Sequence, residues 1–171
     1  NKPHAQGDGS ARETIADLCD EGSFLEYGAL AIAAQTARRS VADLIENTPA
    51  DGMVTGTATI NADAFDAEAA RCAVMSYDYT VLAGTQGLRN HQKKDRMLQL
   101  AEKWRIPVGI FTEGGGGRPG ETDAMSASGH HVTRLCQFEK LSGHGPMVGT
   151  TAAYRFRATT ARIGPASSHF T

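Results

Sequence analysis

The sequence predicts an α/β fold whose ligand site lies in loops at the ends of strands. Three observations lead there. Residues 52–60, rich in Val, Thr and Ile, are followed by a turn and a second strand-like run. Two stretches carry apolar residues at helical spacing, at 91–105 and 128–141. Between them, the apolar run Ile106-Pro107-Val108-Gly109-Ile110-Phe111 leads into four consecutive glycines, Gly114 to Gly117. A short apolar run ending in glycines reads as a buried strand entering a tight loop.

Along the chain, residues 1–10 read as a ragged terminus. Residues 11–19 place Ile15, Leu18 and Cys19 on one helical face, with Gly22 as the stop. Ser40, with Asp43 three residues on, resembles a capping box opening a short helix over 41–45. Thr48-Pro49 ends it, because a residue before proline avoids helical angles. The strand at 52–60, the turn Asn61-Ala62-Asp63 and a strand from Arg71 to Tyr77 or Tyr79 form a hairpin. The loop Thr80-Val81-Leu82-Ala83-Gly84-Thr85-Gln86-Gly87 is built of small residues. In the helix at 91–105, Met97, Leu98, Ala101 and Trp104 share one face. A strand at 107–112 and the glycine loop come next. The helix at 128–141 turns Val132, Leu135, Phe138 and Leu141 inward and stops at Gly143. A strand at 146–151 completes the order β-β-α-β-α-β.

Composition sets outer limits. The 171 residues suffice for one domain with a core, and 40% hydrophobic with 21% charged residues fits a soluble globular protein. A net charge of −2 gives no broad electrostatic case for nucleic acid. The longest aliphatic run, residues 29–34, is far short of a membrane span. Cys19, Cys72 and Cys136 are widely spaced in apolar patterns. They read as core residues of a protein in a reducing cytoplasm (or a mitochondrial matrix), not as a disulfide framework.

Candidate chemistry centres on backbone amides. Glycines admit positive φ and let a ligand approach the N–H groups, as in an oxyanion hole or a phosphate cradle. A solvated surface loop is the competing reading. Lys93 and Lys94 fall in the first turn of the 91–105 helix, where cations oppose the helix dipole. An anion held there with the amides after Gly87 would offset that cost; a solvated charged face is the alternative. Arg118-Pro119 stands where a Walker P-loop needs Lys-Ser/Thr, and no G-x-S-x-G elbow occurs. His130, His131 and His144 lack the spacing of a metal site. Glu113 and Glu121 flank the glycines as acid or base candidates, or as solvated loop acids.

Together these segments resemble one family. Glu21-Gly22-Ser23-Phe24-Leu25-Glu26 is similar to a segment of the β subunits of biotin-dependent acyl-CoA carboxylases, the carboxyltransferase components. Asp51-Gly52-Met53-Val54-Thr55-Gly56 resembles their hairpin strand. Asp78 to Gly87, with His91 and Lys94 beyond, resembles their "DfTv.gGs.G..H..K" segment. Pro107 to Arg118 resembles "rPvi.i.dsGGaR". Leu141-Ser142-Gly143 and Pro146-Met147-Val148-Gly149 resemble the family's next helix end and strand. The matches run in order from about residue 12 to residue 152 and leave 153–171 as a divergent tail.

The resemblance implies the crotonase (ClpP-like) fold, built from β-β-α units and represented by one incomplete half. It implies transfer of a carboxyl group from carboxybiotin to the α-carbon of an acyl-CoA. Loss of the α-proton puts negative charge on the thioester oxygen, which backbone amides must meet. The family's amides fall on Gly115, Gly116 and Gly117, with Gly116 and Gly117 the preferred pair. The released biotin nitrogen is the implied base, so no side-chain base is needed. Thr80, Val81, Gly84, Gly87, Lys93, Lys94 and Arg118 fall on the CoA side. Carboxybiotin would come from a biotin carboxylase or carrier subunit, with no metal, no nucleic acid and no membrane involved. Trimers or stacked trimers are implied. The biotin-binding half of the family pattern has no counterpart here, and Arg155, Arg157 and Arg162 stand where the pattern has glycine and alanine. A non-catalytic acyl-CoA-binding or assembly module, or another crotonase-type reaction using Glu113 or Glu121, are the other readings.

Overall fold

A computed structural model describes residues 10–114, 116–123, 140–143 and 145–151. The elements are α1 (Ala11–Leu18), β1 (Leu25–Glu26), α2 (Val41–Asn47), β2 (Met53–Thr59), β3 (Arg71–Tyr77), α3 (Leu88–Trp104), β4 (Val108–Thr112) and β5 (Met147–Thr151). Of the helix expected at 128–141, residues 140–141 are described and helical. The rest of that helix, His130, His131, Cys136, His144 and the tail at 153–171 lie outside the described residues.

The five strands form one sheet in sequence order. β1, β2 and β3 are antiparallel, whereas β3, β4 and β5 are parallel. The hairpin accounts for the antiparallel β2–β3 pair, and α3 is the crossover that a parallel β3–β4 pair requires. Alternation along β3 divides the core. Ala73, Met75 and Tyr77 join Met97, Leu98 and Ala101 of α3 in one buried cluster. Cys72 and Val74 join Ala11 and Ile15 of α1 in the other. Successive side chains of a strand point to opposite faces, so α1 and α3 cover opposite faces of the sheet.

Local signals explain the element starts. Ser10 and Glu13 form a full capping box ahead of α1. At α2 Ser40 accepts the Asp43 N–H, but the Asp43 carboxylate turns to Arg39 and Asn47, so half of the expected box forms. Trp104 departs from its expected inward face: it is 41% exposed, and Leu100 is buried beside Met97, Leu98 and Ala101 instead. Helix α3 also begins at Leu88 and not at His91.

Two sequence segments that resemble the carboxylase pattern meet at β1. Glu26 pairs with Gly56, and a Cβ on Gly56 would come 2.3 Å from the Leu25 carbonyl and 2.5 Å from the Phe24 ring. Thr55 Oγ1 donates to the Tyr27 carbonyl at 2.9 Å. Glycine at 56 therefore lets the segment around Phe24 lie flat on the hairpin.

Candidate functional site

Strands β3 and β4 are parallel neighbours, and the loops leaving their C-terminal ends, 78–87 and 113–123, lie side by side. That crevice is where open α/β sheets hold ligands. Gln86 and Gly117 form an isolated parallel bridge: the Gln86 N–H donates to the Gly116 carbonyl at 3.0 Å, and the Arg118 N–H donates to the Gln86 carbonyl at 2.8 Å. In such a bridge the bridging residue's own N–H points away from its partner. The Gly117 amide is thus turned away from Gln86, and a Cβ on Gly116 or Gly117 would meet no heavy atom of the described residues within 4 Å. Gly115 lies outside the described residues.

The start of the glycine loop is held by close approach. Gly84 and Gly114 adopt φ values of +63° and +91° and touch backbone to backbone. Thr80 is exposed, with its N–H and hydroxyl both donating to Asp78 Oδ1, at 2.9 and 2.5 Å, in an Asx turn. Val81 is buried beneath the loop against Gly52.

Arg118 lies at the centre of the crevice wall, its side chain 2% exposed. Its Nη1 is ion-paired with Asp51 Oδ1 and lies 3.3 Å from Glu121 Oε1. Its Nε donates to Thr85 Oγ1 at 3.2 Å, and Nη2 to the Thr85 carbonyl at 2.7 Å. Gly87 is glycine for this reason: a Cβ there would sit 2.4 Å from Nη1. Asp51 Oδ2 accepts the Asn90 N–H at 2.6 Å, and Glu121 Oε2 accepts the Leu88 N–H at 3.2 Å. These two carboxylates take amides of the first turn of α3. They explain the early helix start and occupy the place expected for an external anion.

The two lysines are consequently placed differently from expectation. They fall in the second turn of α3, not the first. Lys93 Nζ donates to the carbonyls of Ala50 and Met53. Burial pushes its ammonium down to about 8, with Glu26 and Asp51 acting in the opposite sense. Lys94 is fully buried, and its Nζ donates to the Tyr77 hydroxyl at 3.0 Å and to Gln86 Oε1 at 3.3 Å. Lys93, Lys94 and Arg118 thus have polar ends bonded within the protein. The expectation that the two lysines fall in the first turn of the helix is corrected by the start at Leu88, which these long-range caps fix.

Glu121 has one oxygen on Arg118 and the other on Leu88, an arrangement suited to holding loops and not to shuttling protons. The Cys72 thiol, pushed up to about 12 by burial, with Cys19 and Asp20 adding to the rise, is a core group. Among the described residues no cluster of His, Cys, Asp or Glu could hold a metal ion, and no helix is long and apolar enough to cross a membrane. Asp51, Gln86 and Asn90 are absent from the residues that sequence reasoning singles out for the site. The one available signal is Asp51-Gly52, an acid beside glycine ahead of a strand.

Comparison with known proteins shows the family to which the chain belongs. The family model described as "Carboxyl transferase domain" matches residues 2–137. The chain is 35% identical over 117 residues to the propionyl-CoA carboxylase beta chain of Saccharopolyspora erythraea, covering 68% of this chain and 20% of that protein. Among solved structures it resembles a single-chain, multi-domain long-chain acyl-CoA carboxylase, with TM-score 0.89 and 52% identity, over 98% of this chain and 16% of that one. It also resembles the transcarboxylase 12S hexamer core with hydrolysed methylmalonyl-CoA bound, with TM-score 0.69 and 26% identity, over 99% of this chain and 31% of that one. The chain therefore carries part of the crotonase-like α/β fold of carboxyltransferase domains and spans about a fifth of the curated relative named here.

Proposed function

Because the chain belongs to the carboxyl transferase domain family, we propose that it forms the acyl-CoA side of a biotin-dependent acyl-CoA carboxyltransferase. In this reading the N–C bond of carboxybiotin breaks first, and the released biotin nitrogen takes the proton from the α-carbon of a bound acyl-CoA. The carboxyl carbon then joins the α-carbon. The enolate oxygen that develops meanwhile is met by the Gly116 and Gly117 amides.

The observation that carries this reading is the wall at 116–118. The backbone of Gly117 is registered against Gln86, its N–H faces away from that bridge, and a Cβ on either glycine would meet no described atom. Preorganised donors cost no reorganisation when charge appears, which is the requirement of enolate chemistry. Both Glu121 oxygens are engaged, which favours this mechanism over one using that carboxylate as acid or base. Carboxybiotin would arrive on a carrier, and the protein would self-associate as trimers or stacked trimers.

Calorimetric titration with CoA, acetyl-CoA and propionyl-CoA tests the site, followed by carboxyl transfer from a carboxybiotin donor. Saturable binding with transfer supports the reading. Binding without transfer, when the donor and a natural partner are present, makes the chain a non-catalytic acyl-CoA module. A folded chain that binds none of the three compounds removes the reading.

A further inference from the structure

We propose that the buried Asp51–Arg118 pair is a positioning device that sets the Gly116–Gly117 backbone against the 82–87 loop, a role that rests on the proposed acyl-CoA function. Arg118 follows Gly117 directly and is clamped at both ends. Its N–H is bonded to Gln86, and its guanidinium spans Asp51, Thr85 and Glu121. Asp51 in turn reaches α3 through Asn90, whose Nδ2 also donates to the Asp51 carbonyl at 3.2 Å. One side chain thus joins three segments that are remote in sequence.

The pair is a costly way to obtain stability. Both side chains are almost fully withdrawn from water, at 2% and 0% exposure, and hydrophobic groups of similar volume serve stability as well or better. Asp51 also sits at φ +50° between Ala50 at +53° and Gly52 at +70°. A left-handed aspartate and alanine are strained, and such strain persists where the surroundings hold it for function. Lys93 Nζ, bonded to the carbonyls of Ala50 and Met53, braces that turn. What the pair supplies is direction. A planar guanidinium fork fixes angles that a lysine ammonium cannot.

The test compares Arg118→Lys and the milder Thr85→Val with the unaltered chain by amide hydrogen exchange and calorimetry. Exchange at the amides of residues 86 and 118 is expected to accelerate about tenfold in Arg118→Lys and less in Thr85→Val, while the sheet amides of Ala73 and Val108 hold their protection. Unchanged exchange at residues 86 and 118 in both variants overturns the proposal. So does Thr85→Val accelerating Ala73 and Val108 as much as residues 86 and 118, because the effect is then global. The same proteins are titrated with acetyl-CoA and with S-ethyl-CoA, a thioether without the carbonyl oxygen. Preference for the thioester is expected in the unaltered chain and its loss in Arg118→Lys, with thioether binding retained. A variant that keeps the preference overturns the positioning role. An unaltered chain that binds neither compound defeats the acyl-CoA reading, while the exchange pattern still decides whether the pair orders the loop.

Discussion

Gly84 and Gly114 occupy each other's side-chain space. A Cβ on Gly114 would lie 2.7 Å from the Cα of Gly84 and 2.7 Å from the Ala83 carbonyl, and one on Gly84 would lie 2.9 Å from the Glu113 carbonyl. Both residues also have left-handed backbone angles, +63° and +91°. Gly114→Ala therefore adds backbone strain to overpacking, and its unfolding free energy is expected to drop by about 3 kcal/mol in urea titration. A loss below about 0.5 kcal/mol, the range of an ordinary surface change, would mean that the two loops do not touch.

Gly116→Pro removes one candidate donor. Proline has no N–H, yet the residue 116 carbonyl that receives the Gln86 N–H is kept. Carboxylation of an acyl-CoA should slow by about a hundredfold, the scale of one lost oxyanion donor, with CoA affinity nearly unchanged. Steady-state rates in the presence of a carboxybiotin donor check this. Full activity would take the 116 amide out of the mechanism.

Arg118→Met leaves Asp51 buried with its ion-pair partner gone, and breaking such a pair costs about 3–5 kcal/mol. Asp51→Asn/Arg118→Met removes both charges and should recover part of that loss. A double-mutant cycle by denaturation reads the coupling, expected above about 1 kcal/mol. Strict additivity of the two single changes would show that the groups do not sense one another.

The contrast between these residues and the helices shows what a local sequence can carry. The hairpin, β4, β5 and both short helices are legible because strand periodicity, proline and capping serine act within a few residues. The glycine loop is legible because glycine marks positive φ and close approach wherever it falls. The start of α3 is not, because its first amides are taken by Asp51 and Glu121, which lie 39 and 33 residues from the amides they cap. The expected placement of the lysines fails for the same reason. Trp104 carries the right helical spacing and still ends 41% exposed, because Leu100 takes the buried place beside Ala101. The resemblance puts Arg118 on the CoA side, and the bonds that its guanidinium makes to Asp51, Thr85 and Glu121 could not be read from the local sequence. The resemblance to carboxylase β subunits singles out the glycines; it says nothing of what holds them.

Gly56→Ala tests the edge of the sheet. The added Cβ would strike the Leu25 carbonyl at 2.3 Å and the Phe24 ring at 2.5 Å. The ring can rotate, but the carbonyl belongs to the paired strand. β1 should therefore detach, at a cost of about 1–3 kcal/mol. Hydrogen exchange at Tyr27, whose N–H donates to the Thr55 carbonyl at 2.7 Å, reports the detachment directly. Persistent protection there would show that β1 shifts without leaving the sheet.

Lys93 gives the fold a pH dependence whose sign is fixed by burial. Its ammonium is pushed down to about 8 from the ordinary value of 10.5, chiefly by desolvation, while Glu26 and Asp51 oppose the shift. Below pH 8 both folded and unfolded chains carry the charge, and the folded state bears the full burial penalty. Between pH 8 and 10.5 the unfolded chain binds more protons than the folded one, so stability rises with pH through that window. The neutral amine can still donate to the Ala50 and Met53 carbonyls. The gain is on the order of 2 kcal/mol after allowance for incomplete burial. Other groups titrate in the same window, so the informative quantity is the difference from Lys93→Met. Urea denaturation at about pH 7.5 and about pH 10, on either side of the shifted ammonium, should show the unaltered chain gaining on the variant as pH rises. Parallel pH profiles for the two proteins would place the Lys93 ammonium in water and not beneath the Ala50–Met53 turn.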